Sequence, residues 1–248
     1  MSERAYKTDA FVLRGRNLGE ADRIFTLFTR ERGKLDAVAK GVRRIKSHNA
    51  GRLEFLTEAE LTLHAGRSLD VITGATILHS EWEGLVEPRA FAAANVAAEL
   101  VDAFCEPDLP QDEIYVLLQG VVHALATALQ PADLLPRFEL RLLDLLGLLP
   151  ALDTCVHCGT DLREQEEAWL DPPSGGLVCG ACHRGGEAGR LEGAQIENVR
   201  ALAAAKRTGS ATSTAAPAVA RAVDALVTYH LGKRAKASAF LEELAHQR

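Results

Sequence analysis

Two C-x-x-C pairs, Cys155/Cys158 and Cys179/Cys182, stand twenty residues apart and constrain this chain more than any other feature. Two thiolates three positions apart converge from one tight turn, and two such turns complete the tetrahedral sulfur cage that Zn²⁺ prefers. A glycine beside one cysteine of each pair, Gly159 and Gly180, suits a backbone that turns sharply to aim amides at sulfur. Disulfides need an oxidising compartment, whereas the chain opens Met1-Ser2-Glu3-Arg4-Ala5 with no apolar signal segment. A thioredoxin-like redox site uses a single C-x-x-C at a helix start after a strand. The pattern therefore predicts one structural Zn²⁺ held by Cys155, Cys158, Cys179 and Cys182 in a closed cage, serving folding and not catalysis. His157 and His183 lie in or beside the knuckles and read as bystanders. Cys105, in an apolar helical stretch, reads as core.

At 248 residues, with 47% hydrophobic and 25% charged residues, the chain is globular and has room for two or three modules. No run approaches the apolar length of a membrane span. A soluble protein of a reducing, cytoplasmic compartment is expected, with no membrane partner. The net charge of −6 is unevenly spread. Residues 1–52 hold 13 Lys/Arg against 6 Asp/Glu, residues 53–189 hold 6 against 23, and residues 190–248 hold 9 against 5. A basic end on an acidic body predicts an anionic polymer bound by one face only.

Residues 1–80 read as β. Ala10–Leu13 and Arg23–Thr29 are β-branched and aromatic, Glu31-Arg32-Gly33 turns into Lys34–Ala39, Ala59, Leu61 and Leu63 alternate, and Leu69–Ile72 runs on toward Leu78. Five short strands predict a small closed barrel of the OB type. After Glu87 the period becomes 3.6: Pro88, Pro110 and Pro131 each open a helix, the second with Leu129 on its inward face. A cysteine loop over 153–189 interrupts the helices. Periodicity resumes at Ile196, breaks at Thr208–Thr214, restarts at Pro217, and ends in a short helix capped by Ser238. The expected architecture is α+β multidomain: an N-terminal OB-fold barrel over 1–80, then a helical bundle over 81–152 and 190–248, with the four-cysteine zinc finger inserted at 153–189.

No phosphate-binding G-x-x-x-x-G-K-[ST] occurs, so nucleotide turnover is not expected; Gly15–Gly19 reads as a loop without the required lysine. His79-Ser80-Glu81 matches the H-x-E of zinc deaminases, but four cysteines fill a metal without His79, and Thr154, not proline, precedes Cys155. No H-E-x-x-H appears, and Glu164, Glu166 and Glu167 read as a solvated run. The chain offers cations instead. Arg14 and Arg16 flank the Gly15–Gly19 loop, Arg30, Arg32 and Lys34 flank the hairpin turn, and Lys40, Arg43, Arg44 and Lys46 crowd seven residues. Such groups neutralise phosphates and release counterions with little sequence preference. Aromatics are few in the β region, so stacking is expected to contribute less than in a dedicated single-strand binder. Lys233, Arg234 and Lys236 form a second basic group, which equally suits a helix C-terminus.

Arg14-Gly15-Arg16-Asn17-Leu18-Gly19-Glu20-Ala21-Asp22-Arg23-Ile24, Thr29–Leu35 and Ala39–Arg44 with Ser47 resemble the N-terminal signature of the bacterial recombination mediator family RecO. Arg137–Gly147 followed by Cys155-Val156-His157-Cys158-Gly159 resembles that family's central helix and knuckle, and Tyr229–Ser238 its C-terminal segment. The resemblance runs nearly the full chain. It implies an OB-fold, a helical domain and a zinc loop, and a nucleoid-associated protein. It implies DNA-binding cations among Arg14, Arg16, Arg23, Arg30, Arg32, Lys34, Lys40, Arg43, Arg44, Lys46, Lys233, Arg234 and Lys236. It also implies binding to single- and double-stranded DNA, ATP-independent annealing, and partnership with RecR in loading RecA onto DNA coated by single-strand DNA-binding protein. The acidic tail of that protein is a contact in some members, for which Arg137 and Arg141 are the local cations. Charge and spacing alone equally admit an RNA-binding OB/zinc-finger protein of translation or RNA processing. A zinc hydrolase or nuclease is disfavoured by the closed cage.

Overall fold

The structure, a computed structural model, describes residues 5–45, 47–127, 134–186, 188–205 and 215–246. Lys46, Leu129, Pro131 and the stretch 208–214 lie outside the described residues. The chain divides into two compact units, Met1–Ala126 and Thr127–Arg248.

In the first unit, β1 (Ala5–Leu18), β2 (Asp22–Thr29), β3 (Gly33–Ala39), β4 (Glu58–His64) and β5 (Asp70–His79) close a barrel in the order β1-β2-β3-β5-β4. Only β3 and β5 run parallel; β1 returns to β4 and seals the ring. This is the expected OB-type barrel. Period-2 alternation turns Val12, Phe25, Leu27, Leu61, Leu63 and Ile72 inward, and five alanines (Ala10, Ala37, Ala39, Ala59, Ala75) keep the interior narrow enough to fill. β1 serves two neighbours: Ala5–Phe11 pair with β4 and Ala10–Leu18 with β2, with a register shift between Val12 and Arg14. The stretch from Arg14 to Leu18 is thus strand and not loop. Its side chains are exposed, so the apolar signal stops at Leu13, yet pairing to β2 continues as far as Leu18 opposite Asp22.

Among the described residues this unit also holds three α-helices: α1 (Trp82–Leu85), α2 (Pro88–Phe104) and α3 (Asp112–Thr127). Pro88 takes the first turn of α2, and the Glu87 carboxylate accepts from the Ala90 N–H at 2.8 Å. α3 begins at Asp112, two residues beyond Pro110, where Asp112 and Glu113 meet the positive end of the helix. Tyr115 of α3 sits 5.1 Å from the Phe11 ring and 6.1 Å from Phe28, and its hydroxyl donates to buried Glu58 at 2.8 Å.

The second unit holds α4 (Leu135–Leu145), β6 (Glu167–Asp171), β7 (Gly176–Val178), β8 (Arg190–Glu192), α5 (Gly193–Ala204), α6 (Pro217–Leu231) and α7 (Lys236–His246). The cysteine region carries an antiparallel sheet of order β7-β6-β8 that alternation did not announce, because two of its strands span only three residues. Leu170, Leu177 and Leu191 from this sheet join Leu140, Ile196, Val199, Val219 and Val223 from the helices in one core, with Cys155 and Cys179 among them. Ser238 lies inside α7 and is buried; it does not cap the helix. Among the described residues, no helix is long and apolar enough to cross a membrane.

Candidate metal knuckle and basic face

Each C-x-x-C pair forms a tight turn. At the first, the Cys155 N–H donates to the Thr160 carbonyl at 2.8 Å and the Gly159 N–H to the Cys155 carbonyl at 2.8 Å, with Gly159 at φ +74°. At the second, the N–H groups of Cys182 and His183 donate to the Cys179 carbonyl at 3.0 and 2.9 Å. Gly180 has no left-handed backbone, so only one of the two knuckle glycines is required by conformation. All four sulfurs lie within 4.8 Å of one another, and Cys158 Sγ to Cys179 Sγ is 3.7 Å. A tetrahedron with Zn–S bonds of about 2.3 Å has sulfur–sulfur edges of about 3.8 Å. The arrangement fits a structural metal.

The donor chemistry points the same way. Burial pushes the Cys155 thiol up, but the N–H groups of Cys179, Cys158 and His157 outweigh it and bring it down to about 6. The sulfurs of Cys158 and Cys179 push Cys182 up to about 12. The Thr160 hydroxyl and N–H lower Cys158 as well, so two of the sulfurs favour the thiolate form that a metal takes, and ionising Cys182 calls for a cation among the sulfurs. The Thr160 hydroxyl lies 3.1 Å from Cys158 Sγ, a contact that no spacing rule anticipated. The histidines stand aside: His157 Nε2 meets the Ser174 hydroxyl at 3.2 Å, and His183 stacks on Trp169 at 4.4 Å. Among the described residues, the metal-competent group is the four cysteines alone. Glu81 of the H-x-E element is occupied by His123 at 2.7 Å. Cys105 is buried, and burial pushes its thiol up to about 12, so it is inert.

The barrel's cations separate into two groups at opposite ends of β2. At the β2–β3 turn they are engaged. Arg30 donates to Asp112 at 2.6 Å, Arg32 lies 4.2 Å over the Tyr6 ring, and Lys34 bonds the Asp102 carbonyl with its side chain only 16% exposed. At the β1–β2 end, Arg43 donates to the Gly19 and Glu20 carbonyls at 3.2 and 3.0 Å, and Asp22 accepts from the Gly41 N–H at 2.7 Å. These bonds hold the 40–44 turn against the tip of the β1–β2 hairpin. The exposed side chains of Arg16, Lys40 and Arg44 form no hydrogen bond or ion pair among the described residues. Arg14 is paired with Asp102 at 2.8 Å, and Arg23 lies 5.3 Å over Phe25. In the second unit, Arg234 is held by Asp224 at 3.2 Å and by Glu242, Lys236 has a partner, and Lys233 is exposed. Arg137 is buried and Arg141 pairs with Asp144.

An OB barrel with one uncommitted basic end, in a chain that also carries a four-thiol knuckle set in a helical core, combines parts that recur in proteins that handle nucleic acid. Residues 1–81 match the family described as Recombination protein O N terminal, and residues 86–239 the one described as Recombination protein O C terminal. The DNA repair protein RecO of Nocardioides sp. is 39% identical over 186 residues, covering 74% of this chain and 76% of that protein. Those of Bifidobacterium adolescentis and Thermobifida fusca are 40% and 41% identical over 185 and 187 residues, covering 72% and 73% of this chain and 74% of each relative. The chain belongs to the RecO family of DNA repair and recombination proteins.

Proposed function

We propose that this chain is a non-enzymatic mediator that binds single- and double-stranded DNA, anneals complementary strands without ATP, and works with RecR to load RecA in the cytoplasm. Uncommitted cations at one barrel end carry this reading. Arg16, Lys40 and Arg44 gather at the β1–β2 hairpin with Arg43, while the cations of the β2–β3 turn are bound to their own unit. Phosphate contacts position strands without reading them and leave base edges free to pair. We assign the knuckle one structural Zn²⁺ on Cys155, Cys158, Cys179 and Cys182. Single-strand DNA-binding protein is the further partner that the family implies.

The test is annealing of complementary oligonucleotides without nucleotide, DNA beside RNA. Annealing should proceed with DNA, fall steeply with salt, and be indifferent to ATP. Changing Lys40 and Arg44 together to Glu should weaken binding to all sequences alike and flatten the log–log salt slope by roughly 0.7 to 0.9 per lost contact. Reversing Arg30, already held by Asp112, should change the slope little. Cleavage of the strands, or a preference for RNA, would overturn the proposal.

A further inference from the structure

A cleft of about 270 Å³ opens beside this basic end, between β1, β2 and the segment 53–55, with Asn95 of α2 at its edge. Val12, Phe25 and Leu53, all buried, make an apolar floor, and half-buried Phe55 makes a wall. Phe55 begins an edge-to-face series: Phe91 lies 5.7 Å from it, and Trp82, 48% exposed, lies 6.3 Å from Phe91. Arg23 lines the cleft with its guanidinium over Phe25, and its Nε is buried with no hydrogen-bond partner among the described residues. Glycine at position 15 keeps the cleft open. A Cβ there would come within 3.0 Å of the Phe25 ring and 3.2 Å of Arg23 Nη2.

From this we infer that the cleft receives one unpaired nucleobase of a bound strand, a reading that rests on the proposed DNA binding. Three observations select a base. The walls are apolar and aromatic, which suits flat π-faces. The polar groups are of both kinds: Arg23 Nε is a donor in need of an acceptor, while the Glu54 carboxylate and the Asn95 amide oxygen accept. A base edge carries both donors and acceptors, whereas a phosphate would sit against apolar walls beside the Glu54 carboxylate, since Arg14, which also lines the cleft, is already paired with Asp102. The cleft is also next in the chain to the proposed phosphate contacts. Gly15 precedes Arg16, and Arg23 pairs across the sheet with Ala39, the residue before Lys40. Successive strand residues face opposite sides, so Arg16 stands on the face opposite Gly15, and a strand held there brings a base to the cleft by crossing the β1 edge, where pairing with β4 ends at Phe11. The cleft then discriminates single strands from duplex, since a paired base has no free face or edge to offer.

The experiment measures full-length protein binding to a labelled oligonucleotide and to an abasic strand of the same length and charge. The base-bearing strand should bind about tenfold more tightly. Gly15→Val, which fills the cleft while leaving every charge in place, and Phe55→Ala, which removes the opposite wall, should each reduce that ratio toward one. Neither should change abasic binding or its salt slope. A 2-aminopurine base in the strand should change emission on binding to wild type and not to Gly15→Val. Equal affinity of wild type for the two strands would refute the base cleft while leaving backbone binding intact. Failure to bind either strand would overturn the DNA-binding reading and the cleft with it. Should Gly15→Val fail to fold, Phe55→Ala and the wild-type ratio still decide.

Discussion

Gly159 and Gly180 occupy matching places in the two cysteine turns but meet different demands. Gly159 takes φ +74° with open space around a Cβ, so Gly159→Ala costs only backbone strain, about 1–2 kcal/mol. At Gly180 a Cβ would make ordinary contact with Trp169 at 3.5 Å, and no left-handed backbone is required. Gly159→Ala should lower the thermal midpoint of the zinc-loaded protein, and Gly180→Ala should leave it nearly unchanged. Equal losses would contradict this account. Glu139 of α4 poses a second residue-scale question. Burial, with the Asp224 carboxylate adding to it, raises its carboxyl to about 8. The folded chain thus holds a proton that the unfolded chain gives up near pH 4.3. Its stability contribution is complete below about pH 4.3 and is lost as pH rises through 8. Glu139→Gln should therefore be the more stable protein at pH 8.5, with the difference shrinking toward pH 5. Urea midpoints of both proteins across that range, where thiol titration is common to both, check the sign.

At the scale of elements, the knuckle and sheet β7-β6-β8 depend on one another. Cys155 and Cys179 are buried in the same core as Leu170, Leu177 and Leu191, so the metal is expected to hold the sheet as well as the turns. Cys158→Ser, or chelation, should lower zinc content below one equivalent per chain and raise amide exchange over β6–β8. Exchange within the barrel should stay slow. Fast barrel exchange on chelation would show that the metal's influence is not confined to its own core. Much of this was legible beforehand. The barrel strands could be read because Ala59, Leu61 and Leu63 alternate over a half-buried surface, and the helices because Pro88 and Pro217 mark their first turns. The sheet around the cysteines was not legible, since three-residue strands are too short to show a period. The run from Arg14 to Leu18 read as loop because its side chains are polar or exposed, although its backbone is paired with β2 throughout. The four cysteines were plain from spacing alone. The cations were not sortable, because Asp102 and Asp112, which hold Arg14, Lys34 and Arg30, lie at least sixty residues away in sequence.

For the molecule as a whole, the proposed function places strand binding on the basic barrel end of the first unit, whereas the four cysteines belong to the core of the second. Partner binding and strand binding should therefore separate genetically, as charge reversals at Lys40 and Arg44 should spare RecR association in a pull-down. Within the first unit, β1 carries two of the barrel's five strand pairings, its leading half on β4 and its trailing half on β2. A ring closed through one shared stave leaves no whole strand at an edge, and Arg16 rides on the half of that stave that pairs with β2 alone. Loosening either pairing strips the other of its partner, so the barrel should open all at once and not strand by strand. In a thermal ramp, loss of DNA affinity and loss of β1 amide protection should then fall at one temperature, giving the molecule a grip that stays whole until it releases completely.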